Sequence, residues 1–215
     1  MQSHARLVVI GGGIAGCSLL YHLAKLGWRD LVLLERNELT AGSTWHAAGN
    51  TPHFETSLNM SRIQKYGTEL YQRLEAETGQ PTGFHRCGSI RIAQDRDRLD
   101  QFRHLEGQSK AIDLAFEVIG PNEIRSLYPL MELDGVIAGA WTPQDGYTDP
   151  SSTTQALAKG ARDLGAVIHR RTRVTSLRQK PDRHWIVETE DGTIEAEIVV
   201  NAAGTWAREV GAMAG

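Results

Sequence analysis

The chain has 215 residues, 40% of them hydrophobic and 23% charged, with 22 glycines and a formal net charge of -3. That length supports one good-sized core, or one domain with a second begun. The small, mixed charge gives no electrostatic footprint for nucleic acid, and no apolar run approaches the about 20 residues of a bilayer span. Met1 to Arg6 has neither the apolar stretch of a secretory signal nor the length of a transit peptide. Cys17 and Cys87 stand far apart and in no CxxC pair, which argues against a disulfide framework or a thiolate metal site. The expectation is a reduced, cytoplasmic protein with no nucleic-acid or membrane partner.

In chain order, Leu7 to Ile10 is a β-branched apolar run that ends in three glycines, the pattern of a buried parallel strand. Leu19, Leu23 and Leu26 then recur at helical spacing from Ile14 onward, and Gly27 closes the helix. Leu31 to Leu34 is the second strand. Asn37 to about Pro52 lacks periodicity and reads as a long functional loop. Helices are predicted at Ser57 to Thr78 and Arg96 to Ser109, with a strand at Cys87 to Ala93 between them. A short helix opens at Gly120-Pro121-Asn122, and Val136 to Trp141 is strand-like.

Asp149-Pro150 is a helix start, with Asp as N-cap and Pro at the first position, and that helix should reach Leu164. Short strands follow at Ala166 to His169, Arg173 to Leu177, Trp185 to Thr189 and Thr193 to Glu195, then a buried one at Ile198 to Asn201. No repeat or low-complexity linker divides the chain.

Gly11-Gly12-Gly13-Ile14-Ala15-Gly16 satisfies GxGxxG at Gly11, Gly13 and Gly16, between a strand and a helix. Such glycines permit a tight turn, close approach of a pyrophosphate and close packing of helix on strand. The open helix N-terminus, with Ile14 and Ala15 in its first turn, then faces the phosphates. Glu35 ends the second strand about 20 residues on, where a carboxylate accepts from a ribose hydroxyl and repels a 2'-phosphate. The remaining histidines show no metal-ligand spacing, so no metal is expected. Ser151 and its neighbours lie at a helix start and not in a GxSxG elbow.

The glycine motif, the strand ending Leu33-Leu34-Glu35-Arg36, and the segment Ala41-Gly42-Ser43-Thr44-Trp45-His46-Ala47-Ala48-Gly49-Asn50 together resemble the dimethylglycine and sarcosine dehydrogenase family of D-amino-acid-oxidase-like flavoproteins. The resemblance runs from Leu7 to Trp206 and includes Gly83 to Arg91. It implies an α/β fold: a Rossmann-like FAD-binding domain, doubly wound with a β-meander, plus part of an antiparallel-sheet substrate domain. On that basis residues 1–80 and 145–215 form the FAD-binding domain, incomplete, and residues 81–144 part of the substrate domain.

The resemblance further implies FAD bound covalently through His46, a neutral nitrogen nucleophile suited to that bond. It implies cofactor contacts at Gly11, Gly13, Ile14, Ala15, Gly16, Glu35, Arg36, Gly42, Ser43, Thr44, Trp45, Ala47, Ala48, Gly49, Asn50, Val174, Ala202, Ala203, Gly204 and Trp206. From the residues alone, Val174 reads as a core strand valine, and Trp206 is as readily a core aromatic at a helix start as a cofactor contact. The implied reaction is oxidation of the N-methyl C-H of a small methylated amino acid, dimethylglycine or sarcosine, by hydride transfer to the flavin, with an unassigned electron acceptor. Alternatives are a non-catalytic regulatory relative, an inactive fragment, or a peroxide-forming amine oxidase. Family members continue well past Trp206, so a fragment or a split-gene piece is expected here, with substrate-holding residues beyond Gly215.

Overall fold

The computed structural model describes residues 2–215. The first elements are β1 (His4–Ile10), α1 (Ile14–Lys25), β2 (Leu31–Leu34) and, after a 3-10 turn at Thr44–His46, β3 (Asn50–Thr51). Next come α2 (Leu58–Thr78), β4 (His85–Arg86), β5 (Ser89–Ala93), α3 (Arg96–Ser109), β6 (Glu117–Ile119), α4 (Pro121–Leu127), β7 (Ala138–Thr142) and β8 (Gly146–Tyr147). The last are α5 (Pro150–Asp163), β9 (Val167–His169), β10 (Val174–Gln179), β11 (Trp185–Thr189), β12 (Gly192–Asn201) and α6 (Ala207–Ala212).

These elements form two compact units, one of residues 2–48, 73–83 and 149–215, the other of residues 49–72 and 84–148. Residues 49–72 and 145–148, grouped with the first domain in the sequence reading, lie in the second unit, and residues 81–83, grouped with the second, lie in the first.

The first unit is built on a six-stranded sheet in the order β10-β11-β12-β1-β2-β9. β1 runs parallel to β2 on one side and to β12 on the other, with Leu7 opposite both Leu31 and Ile198. Val8 and Val9 are fully buried, and all four residues of β2 are buried, as expected for strands covered on both faces. β10, β11 and the first half of β12 form the antiparallel meander.

The two strands expected at Thr193 to Glu195 and Ile198 to Asn201 are one ten-residue strand. It pairs with β11 up to Ala196 and with β1 from Glu195 to Asn201, so its change of partner, and not a break in the backbone, produces the two sequence patterns. β6 and β8 carry no distinct signal of their own, being three and two residues long.

Helix α5 begins as its sequence dictates: the Asp149 side chain accepts from the Ser152 amide at 2.6 Å, and Pro150 fills the first turn. α5 packs on α1 at Gly160, where a Cβ would lie 2.7 Å from Cε2 of Tyr21. The apolar core of this unit joins Val8 and Ile10 to Val32, Leu34, Val174, Val187, Ile194 and Val210.

The second unit holds two three-stranded antiparallel sheets, β3-β8-β4 and β5-β7-β6. Phe54, Phe102, Leu105, Phe116 and Ala140 are central to its core.

Candidate functional site

Strand β1 turns in opposite directions to its two parallel neighbours, so the crevice at the carboxyl ends of β1, β2 and β12 is a topological switch point, where open α/β sheets bind ligands. A groove of ≈ 280 Å³ opens there. Its lining combines the glycine turn Gly11 to Gly13, the strand-end residues Leu34 and Glu35, the loop Thr40 to Thr44, Thr172 to Val174, and Ala202 to Gly204 with Trp206.

The turn is shaped by close backbone approach. Gly11 has φ +120°, and a Cβ on it would sit 2.3 Å from the Ala202 carbonyl oxygen. Gly16 does not line the groove; a Cβ there would meet the Gly11 carbonyl oxygen at 2.0 Å, so it holds helix on strand from beneath. At Gly12, the unconstrained position of the motif, a Cβ would press on the Leu39 side chain at 2.5 Å and the Glu35 side chain at 2.9 Å, so those side chains would have to shift.

α1 has no side-chain N-cap of its own; Gly13 is extended, and the Ile14 amide donates to Thr44 Oγ1 at 3.1 Å. No acidic residue occupies the first turn, so the dipole at this end is not neutralised from within the helix. The remaining first-turn amides have no intrahelical acceptor.

Glu35 is held by the backbone it was expected to sit beside. One carboxylate oxygen accepts from the Gly12 amide at 2.7 Å and the other from the Asn37 amide at 2.7 Å. Each oxygen keeps a lone pair for a further donor, so the carboxylate both fixes the glycine turn and faces the groove. The strand end is tied down further by Glu35 N-H to His169 O, Thr172 N-H to Glu35 O, and Thr40 N-H to Gly12 O.

Across the groove, the Arg36 guanidinium stacks over the Trp206 indole at 3.9 Å, and the same indole lies 3.5 Å from where a Gly42 Cβ would be. Beneath the turn, burial pushes the Cys17 thiol up to about 12, with Arg162 opposing and Glu35 adding to the rise.

The groove thus gathers Gly11, Gly13, Ile14, Ala15, Glu35, Arg36, Gly42, Ser43, Thr44, Val174, Ala202, Ala203, Gly204 and Trp206 from the sequence reading. Val174 is both a core residue and part of the lining. Trp45, His46, Ala47 and Ala48 are not in the lining: Trp45 and His46 are exposed on the 3-10 turn, their rings 3.8 Å apart. His46 Nδ1 lies 3.2 Å from the Gly42 carbonyl oxygen. Gly49 and Asn50 belong to the second unit.

Sequence reasoning missed Ile10, Gly12, Leu34, Asn37, Thr40, Ala41, Thr172, Arg173, Glu209, Val210 and Met213 in the lining. Ile10, Gly12 and Leu34 lie in the strands and glycine turn already singled out, and Asn37, Thr40 and Ala41 fall inside the loop that reads as functional; the rest carry no motif and arrive through the β10 start and α6.

The structure also draws Asp182, His184 and Glu195 together, with ligand atoms within 4.8 Å of one another. The Lys180 ammonium already occupies this cluster, 3.1 Å from Asp182 and 2.7 Å from Glu195. Among the described residues no helix is long and apolar enough to cross a membrane.

A glycine turn against an open helix N-terminus, at the switch point of a parallel sheet and beside a strand-end carboxylate, defines a dinucleotide-binding fold. The chain belongs to the FAD dependent oxidoreductase family, whose model matches residues 6–215. It is 49% identical over 214 residues to dimethylglycine dehydrogenase of Rattus norvegicus, covering 100% of this chain and 25% of that protein. Sarcosine dehydrogenase of Mus musculus is 41% identical over 221 residues, covering 100% and 24%. The pyruvate dehydrogenase phosphatase regulatory subunit of Mus musculus is 37% identical over 211 residues, covering 98% and 24%. Among solved structures, L-proline dehydrogenase from P. horikoshii superposes with a TM-score of 0.91 at 28% identity, covering 99% of this chain and 56% of that one. The chain therefore spans about a quarter of the length of these curated relatives.

Proposed function

We propose that the groove holds FAD, that His46 carries the flavin covalently, and that the whole protein oxidises the N-methyl C-H of a small methylated amino acid such as dimethylglycine or sarcosine. The observation that carries this reading is the Glu35 carboxylate, bonded to Gly12 and Asn37 on the groove wall beside the uncapped N-terminus of α1. The residues fit the group. A Cβ at Gly11 would strike the Ala202 carbonyl oxygen at 2.3 Å and one at Gly13 would press on Thr44 Oγ1 at 3.0 Å, so the turn runs along the groove without side chains, and the first-turn amides and helix dipole suit a pyrophosphate. The free lone pairs of Glu35 suit ribose hydroxyls, and its charge disfavours a 2'-phosphate.

FAD, when bound, supplies the hydride acceptor for the C-H oxidation. The chain's own residues bind and orient. Val174 and Ala202 to Gly204 present backbone and small side chains to the groove, and the Arg36-Trp206 stack braces its far wall. At His46, an Nδ1-H donated to the Gly42 carbonyl leaves Nε2 with its lone pair, the form of the ring able to make a covalent bond. In this reading the first unit is the FAD-binding domain and the second is part of the substrate domain. The reading keeps a cytoplasmic location; the rat and mouse relatives are named as mitochondrial proteins, and cell fractionation decides between the two.

The test is a denaturing gel of chain expressed with ample riboflavin, viewed under ultraviolet light after acid precipitation. Fluorescence that stays with the wild-type band and leaves the His46→Ala band supports covalent attachment; a dark wild-type band rejects it. The regulatory-subunit relative favours a second reading, a flavin fold kept without catalysis. It predicts no turnover of dimethylglycine or sarcosine by the full-length protein. A peroxide-forming oxidase would instead show peroxide matching amine consumed.

A further inference from the structure

The second unit contains a cavity of ≈ 260 Å³ that the flavin reading does not use. It is lined by His53, Lys65, Glu69, Gln72, Asp113, Leu114 and Gln144. That volume falls just below the about 300 Å³ at which drug-sized sites begin, so it suits a small molecule.

Its buried side is built around a histidine with a fixed ring. His53 and Asp145 are each 3% exposed. Asp145 Oδ1 accepts from the His53 amide at 2.7 Å and lies 3.2 Å from His53 Nδ1, while Oδ2 accepts from Ser89 Oγ at 2.5 Å. A carboxylate only accepts, so Nδ1 carries a hydrogen toward Asp145, and with that tautomer Nε2 is the ring atom able to accept. Beside it, Gln144 Oε1 is buried with no hydrogen-bond partner. An orphaned buried acceptor is expensive and calls for a donor.

The charges point the same way. Lys65 has two of its three N-H groups committed to the Ile112 and Asp113 carbonyl oxygens, at 3.0 and 2.8 Å. With Glu69 and Asp113 exposed at the mouth, the charged lining is two carboxylates and one ammonium, net -1. Acceptors and negative charge dominate a space with one unsatisfied acceptor inside it.

We propose that this cavity binds a small ammonium ion bearing N-H groups, which donates to Gln144 Oε1 and His53 Nε2 and pairs with the carboxylates at the mouth. The inference rests on the second unit alone and stands or falls independently of the flavin site.

The experiment titrates methylammonium chloride into the intact chain, following binding by calorimetry and the His53 ring protons by NMR. Tetramethylammonium chloride and sodium acetate at matched ionic strength are the controls. Saturable binding with a shift of the His53 resonances is expected for methylammonium only. Gln144→Leu should weaken it about tenfold or more, since a hydrogen bond to a charged group is lost. Glu69 is exposed, so Glu69→Gln keeps the fold and should weaken binding severalfold. Gln144→Leu should also leave urea stability unchanged or raised, because the orphaned acceptor is gone. Equal binding of tetramethylammonium, the absence of saturation, or unchanged affinity in both variants would overturn the proposal.

Discussion

Three glycines allow the two causes of glycine requirement to be separated in one experiment. Gly27 has φ +88° with nothing within 4 Å of its missing Cβ, so Gly27→Ala tests backbone conformation alone. Gly16 has no positive φ, but its Cβ would lie 2.0 Å from the Gly11 carbonyl oxygen, so Gly16→Ala tests close approach alone. Gly11 combines φ +120° with a Cβ 2.3 Å from the Ala202 carbonyl oxygen. A left-handed alanine costs about 1 kcal/mol, and a methyl forced onto immobile backbone about 3 kcal/mol, so Gly11→Ala should cost about 4 kcal/mol. Against a total of about 5–15 kcal/mol, that leaves a chain near its threshold.

Urea unfolding followed by far-ultraviolet circular dichroism gives the order Gly27→Ala, then Gly16→Ala, then Gly11→Ala in increasing loss. FAD titration should show Gly27→Ala unaffected. If Gly11→Ala and Gly16→Ala lose no more stability than Gly27→Ala, the close packing of turn, helix and β12 described above is wrong.

Glu35→Gln replaces one accepting oxygen with an NH2 group that must face a backbone N-H, at a cost of about 1–3 kcal/mol; FAD affinity should fall about tenfold or more, read by flavin fluorescence. Glu77 bonds Lys25 at 2.7 Å and Arg73 at 2.9 Å and accepts from the Tyr21 hydroxyl; the Lys25 bond, then that of Tyr21, holds its carboxyl below the ordinary range. A depressed carboxylate pKa stabilises above the unfolded value and loses that contribution as pH falls through the folded one. The urea midpoint of Glu77→Gln should therefore lie below wild type at neutral pH, by roughly 1 kcal/mol of stability, and converge with it in acid. Burial raises the Cys17 thiol to about 12, whereas Cys87 is exposed, so one thiol should react with a disulfide reagent in native protein and both in denaturant.

The parts of this fold that were legible are those where local pattern and tertiary role coincide. The run Leu7 to Ile10, the glycine turn, α1 and β2 have one burial pattern each, and Glu35 sits where strand length alone puts it. β12 was not legible as one strand because its two halves answer to different neighbours, which gives them different faces to bury. Glu209, Val210 and Met213 reach the groove only because α6 folds back beside it, a placement no periodicity encodes. The Asp182, His184 and Glu195 cluster arises from pairing of β11 and β12 and was invisible as spacing. For His46 the residues gave a loop histidine, and only the surrounding motif singled it out; the fold shows it exposed on a 3-10 turn with its ring tied to Gly42.

The central claim is that the first unit holds FAD in the groove at the ends of β1, β2 and β12. Equilibrium titration of the purified, flavin-free chain with FAD, with ADP as competitor, tests it most directly. The account predicts one saturable FAD site per chain, displaced by ADP and weakened in Glu35→Gln. Absence of saturable FAD binding by a folded wild-type chain, or binding indifferent to both ADP and Glu35→Gln, would contradict it.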